Sequence, residues 1–125
     1  MQIDTVRYEV IGAAMQVHGE LGSGFQEVVY QRAMGVELSL RGIAYEREKE
    51  MRILYKGQDI GSRRVDFYVE GCVMLELKAV SEMTPDHLAQ AKNYMEAYGV
   101  AEGLLINFGE KSLAYKRLYP RGAKR

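Results

Sequence analysis

Apolar residues recur at Val6, Val10, Ala13, Ala14, Val17 and Leu21, one stripe at helical spacing, with Asp4 or Thr5 placed to cap it. Leu-Gly-Ser-Gly at 21–24 breaks the pattern. A second helix is expected from Phe25 to about Leu40, with Phe25, Val28, Val29, Ala33, Val36 and Leu40 on its apolar side and Arg41-Gly42 at its end. Beyond Ala44 the apolar period shortens. Residues 45–55 read as a strand, polar first and apolar later, and Lys56-Gly57-Gln58-Asp59 as a hairpin turn. Residues 60–69 and 73–79 read as two more strands around Glu70-Gly71-Cys72. Thr84-Pro85 opens a third helix that runs to about Tyr98 and stops at Gly99. Residues 103–108 (GLLINF) read as a short, mostly apolar strand, as in the interior of a sheet, and 112–119 as a last strand. The order ααβββαββ predicts an α/β (α+β) fold with one mixed central sheet flanked by helices.

The hairpin over 64–78 carries the first chemical signal. A three-residue turn at Glu70, Gly71 and Cys72 sets Val69 opposite Val73, Phe67 opposite Leu75, and Val65 opposite Leu77, so every apolar residue meets an apolar partner. On the other face Tyr68 then pairs with Met74, Asp66 with Glu76, and Arg64 with Lys78. Carboxylates directly opposite each other, with Cβ atoms roughly 5 Å apart, repel unless one is protonated or a cation lies between them. Hard divalent cations take oxygen ligands, and Lys78 projects from the same face as Glu76. A lysine there suits work on an attacking water or a phosphate. The same residues also suit a surface ladder in which Arg64 and Lys78 simply neutralise the acids.

Charge and composition narrow the classes. Seventeen basic and seventeen acidic residues balance, which argues against a polycation that coats nucleic acid. The balance is uneven along the chain. Residues 111–125 hold six basic side chains and no acid, leaving eleven basic against seventeen acidic before them, a net of about −6. A single cysteine, Cys72, excludes an internal disulfide and a cysteine-based zinc site. The N-terminal residues lack the form of a signal peptide, and no apolar run approaches a membrane span, so a cytoplasmic protein with no membrane partner is expected. The organisation expected is one domain over 1–119 and a basic tail over 120–125.

Asp66, Glu76-Leu77-Lys78 and the later Gln90-Ala-Lys-Asn-Tyr94 together resemble the PD-(D/E)XK nuclease superfamily, in its RecB-like branch. Gly24-Phe-Gln-Glu27-Val-Val-Tyr30 resembles the signature of the GxxExxY protein family, as do His18-Gly19-Glu-Leu-Gly22 and Leu-Ile-Asn-Phe-Gly at 105–109. One departure is Val65, where the superfamily name puts proline. The resemblance implies a restriction-endonuclease-like core and a Mg²⁺- or Mn²⁺-dependent nuclease acting on DNA, a hydrolase of phosphodiester bonds. It implies catalytic roles for Asp66, Glu76 and Lys78, and metal ligation by Glu27, Asp66 and Glu76. Gly24 and Tyr30 would support the motif.

Gln90 and Tyr94, one helical turn apart, would contact the nucleic-acid backbone or position Lys78. Tyr94 is equally readable as a core aromatic with Gln90 as its hydrogen-bond partner. His18 is readable as a further metal ligand or as a helix-end histidine bonded to a carbonyl. Lys116 and Arg117, with the tail residues Arg121, Lys124 and Arg125, would supply phosphate contacts. The runner-up is a catalytically inactive fold member that binds nucleic acid or oligomerises. The Met- and Tyr-rich composition leaves room for a homodimer.

Overall fold

A computed structural model describes residues 1–119. Its elements are α1 (Ile3–Leu21), α2 (Glu27–Leu40), β1 (Tyr45–Tyr55), β2 (Gln58–Val69), β3 (Val73–Lys78), α3 (Pro85–Ala97), β4 (Glu102–Asn107) and β5 (Ala114–Leu118). The strands lie in spatial order β1-β2-β3-β4-β5. Only β3 and β4, joined through α3, run parallel; the other neighbours are antiparallel. This is the mixed α+β architecture that the periodicity predicts. The basic tail expected over 120–125 lies outside the described residues.

Helices α1 and α2 cover one face of the sheet. Val6, Val10, Ala13, Ala14 and Val17 of α1 and Tyr30, Met34 and Leu38 of α2 pack there on Phe67, Val69, Leu75, Leu77, Leu104 and Ile106. Helix α3 covers the other face, with Ala91 and Met95 on Met74, Leu105 and Val65. Thr84 caps α3: its hydroxyl accepts the His87 N–H, and the His87 ring accepts the Thr84 N–H.

Two helix expectations need correction. The capping position of α1 is Gln2, which puts Asp4 in the first turn instead of at the cap. The buried stripe of α2 is Tyr30, Met34 and Leu38, not the valine-rich side; Val36 is 61 % and Leu40 77 % exposed. Tyr30 sets the rotation of the helix. Its ring stacks on Phe108 at 4.7 Å, and its hydroxyl donates to the Gly22 carbonyl. Phe25 falls before the helix and meets Tyr30 edge-on.

The hairpin between β2 and β3 starts in the expected register, Val69↔Val73, Tyr68↔Met74 and Phe67↔Leu75. It stops there. The expected pairs Val65↔Leu77, Asp66↔Glu76 and Arg64↔Lys78 are not formed, because the alternation of faces changes at this level. Phe67 and Val69 face α1 and α2, yet Val65 belongs to the α3-side cluster. On β1 the residue across from this step, Glu48, has φ 51°, a left-handed conformation that is strained for a glutamate, and it is skipped between the pairs Arg47↔Phe67 and Lys49↔Val65. The strands part, and Asp66 sits at the parting.

Candidate functional site

Asp66 takes over a backbone bond that the ladder no longer supplies. Its Oδ2 accepts the Leu77 N–H at 2.7 Å. Its Oδ1 accepts from Gln31 Nε2 at 3.2 Å, and the same amide nitrogen donates to Glu27 Oε2 at 3.1 Å. Glu27 is the first residue of α2 and Gln31 lies one turn along it, so α2 presents both to the gap between β2 and β3. Arg47 reaches the carbonyl end of Gln31 from β1, which fixes the amide with its nitrogen toward the acids.

Glu76 stands almost fully buried on β3, 3 % exposed. Burial pushes its pKa up to about 7, and the facing Asp66 carboxylate adds to the rise, while the Arg63 guanidinium opposes it. Glu27 is also raised, first by burial and then by Asp66, against the charges of Lys78 and Arg63. Asp66 thus acts on both Glu27 and Glu76, and the Lys78 charge acts on Glu27. Lys78, Gln90 and Tyr94 line a small cavity together with Glu76 and Arg63.

Arg63 was not expected in this place. Strand alternation assigned Arg64 to the site; the change of face puts Arg63 there instead. Arg64 is 68 % exposed in its side chain and lies 3.9 Å from Glu48. Arg63 forms a hydrogen-bonded ion pair with Glu76 and lies 4.5 Å above the Tyr94 ring centroid. Burial works against its charge, but Glu76 and Asp66 outweigh this and hold its pKa above the usual guanidinium value.

The donor set suits a hard divalent cation: two mutually repelling carboxylates, one of them desolvated, with a lysine alongside. The space is the constraint. The cavity beside Glu76 measures about 10 Å³, room for about one water. Among the described residues no three His, Cys, Asp or Glu side chains are gathered closely enough to hold an ion. The third ligand expected of Glu27 is therefore not assembled with the other two. The position beside Glu76 that a cation would take is held by the Arg63 guanidinium.

The remaining expected residues divide. Tyr94 takes an intermediate position, stacked with Tyr98 and lying under Arg63. His18 is bonded through Nε2 to the Glu110 carbonyl at 2.9 Å and lies beside Phe108, the helix-end arrangement instead of a ligand set with the acids. Gly24 adopts φ 133°, open to glycine and awkward for other residues, and turns the chain into α2. Tyr30 is core. Arg117 is taken up by Glu102, which it grips with two nitrogens at 2.7 and 3.2 Å, so the structure does not present it as an open phosphate contact. Lys116 is exposed and shares a groove of about 330 Å³ with Lys92 and Tyr119.

Gln31 and Arg63 are the site residues that sequence reasoning passed over. Gln31 was accessible from its spacing to Glu27; Arg63 was hidden by the face change.

Asn107 and Gly109 hold the end of the site from below. Asn107 is fully buried, and its amide group both accepts the Val80 N–H and donates to the Val80 carbonyl, at 3.0 and 2.9 Å. Phe108 N–H donates to the Lys78 carbonyl. The segment after β4 thereby fixes the segment that follows Lys78.

A sheet with these helices on its two faces, and an Asp, Glu-x-Lys set where its central strands part, defines a nuclease-like fold. The chain belongs to the PD-(D/E)XK nuclease superfamily, whose sequence model matches residues 4–118. Two solved structures resemble it in fold. The crystal structure of SSO0001 is 18 % identical with a TM-score of 0.56, over 75 % of this chain and 50 % of that one. An alkaline exonuclease (LHK-Exo) from Laribacter hongkongensis is 10 % identical with a TM-score of 0.54, over 96 % of this chain and 72 % of that one. The chain thus spans half the length of the first. No curated protein sequence matches it. Among the described residues, no helix is long and apolar enough to cross a membrane.

Proposed function

We propose that this protein is a divalent-metal-dependent nuclease acting on DNA, of the GxxExxY type in the RecB-like branch. The observation that carries the reading is the pair Asp66 and Glu76 meeting beside Lys78, with Glu76 pushed up to about 7 by burial and by its neighbour. Asp66 and Glu76 would hold Mg²⁺ or Mn²⁺. A bound cation of this kind supplies an acidified water and neutralises charge on the phosphodiester. Lys78 orients that water and steadies the phosphate. Gln31 holds Asp66 and Glu27 in mutual position. Gln90 and Tyr94 meet the backbone of the nucleic acid, and the groove with Lys92 and Lys116 extends the path.

Cleavage of single-stranded, duplex and branched DNA with Mg²⁺ or Mn²⁺ is the direct test. Wild type should cut, while Asp66→Ala and Lys78→Ala should fall by at least about 10²-fold. Equal activity in all three removes the enzymatic reading. The Arg63–Glu76 ion pair favours a second reading, an inactive module that binds nucleic acid. Salt-sensitive DNA binding with no cleavage under any metal would decide for it.

A further inference from the structure

We propose that Arg63 is a resident counter-cation, so that a divalent metal reaches Glu76 only by exchange with the Arg63 guanidinium. The inference rests on the metal reading above and adds to it the step that controls loading.

Two carboxylates side by side in a desolvated gap need positive charge, and Arg63 of β2 supplies it. Arg63 is paired with Glu76 and packed over Tyr94. A buried pair of this kind is stable only while both partners stay. A dication brings more charge to the same oxygens, and the two cannot share them. About 10 Å³ remains beside Glu76, which admits a single water and no hydrated ion.

The structure also offers Arg63 a berth. Tyr94 on α3 and Tyr98 at its C-terminal cap are stacked, with ring centroids 5.9 Å apart. The Tyr98 hydroxyl is buried with no hydrogen-bond partner among the described residues. A guanidinium that leaves Glu76 can remain over the Tyr94 ring and give that hydroxyl a donor. Arg64, the neighbouring cation, has no such position and points to solvent.

The test is a titration of the whole protein with Mg²⁺, and separately Mn²⁺, followed by calorimetry and by melting temperature, with no substrate present. Arg63→Gln should bind the metal about tenfold more tightly than wild type. Arg63→Lys keeps the charge but loses the planar fork, and should fall between the two. Arg64→Gln should match wild type. Saturable binding that Asp66→Asn abolishes, with the same midpoint in wild type, Arg63→Gln and Arg63→Lys, overturns the exchange and leaves the metal reading standing. No saturable binding in wild type or in either Arg63 variant sinks the metal reading and the exchange with it. Should Arg63→Gln fail to fold, the Arg63→Lys midpoint decides alone.

Discussion

Glu76 is a carboxyl whose folded environment prefers it neutral. With its pKa at about 7 against an ordinary 4.5, the folded protein holds the proton more tightly than the unfolded chain. Its contribution to stability is therefore full below the unfolded value and is lost as pH rises from about 4.5 through 7. Relative to wild type, Glu76→Gln should gain up to about 3 kcal/mol of stability between pH 4 and pH 8, on top of a pH-independent cost of leaving Arg63 without its carboxylate. Urea unfolding in chelator across that range would measure it; a constant gap at all pH values would refute the account. Tyr30 makes the opposite kind of contribution. Its hydroxyl accepts the Phe25 N–H as well as bonding Gly22, so Tyr30→Phe should cost about 1–3 kcal/mol through unsatisfied backbone groups alone.

At the scale of elements, the loops after β3 and β4 are locked to each other. A methyl group on Gly109 would stand 2.3 Å from the Val80 carbonyl oxygen and 2.5 Å from its nitrogen, which are backbone atoms with nowhere to move. Gly109→Ala should therefore destabilise by about 3 kcal/mol, and should disturb Lys78 more than Asp66; a thermal melt together with amide spectra would show both. Element order, the three-residue turn and the cap of α3 were legible because turn chemistry and periodicity act locally. The start of the hairpin, which carries Asp66 and Glu76 to one end of the ribbon, was legible from its first three pairs, but the pairing expected between the two acids was not, because the ladder ends before it. The exchange of Arg64 for Arg63 was not legible. It arises from Glu48 on a neighbouring strand, whose left-handed backbone is invisible in the alternation of β2 itself. The α2 stripe failed for a related reason: Phe108, distant in sequence, chooses Tyr30 and so turns the valines outward.

Across the whole molecule, positive charge is distributed between work and structure. Lys116→Gln should weaken DNA binding at every sequence and lower the slope of log affinity against log salt by about one, with no loss of stability. Arg117→Gln should do the reverse, costing about 3 kcal/mol of folding free energy because buried Glu102 would keep only Arg7. Filter binding and melting curves on the two variants separate the roles; a matching salt slope change in Arg117→Gln would contradict the assignment.

Glu102 carries a consequence of its own. It is held by Arg7 on α1 at 2.9 Å and by Arg117 on β5 at 2.7 Å. β4 and β5 follow the helices and the hairpin in chain order, so the second of these two cations joins only once β5 has paired with β4. Until then a buried anion lacks half its neutralisation and β4 lacks its antiparallel neighbour. Closure of β5 on β4 is thus the step at which Glu102 gains its full set of partners.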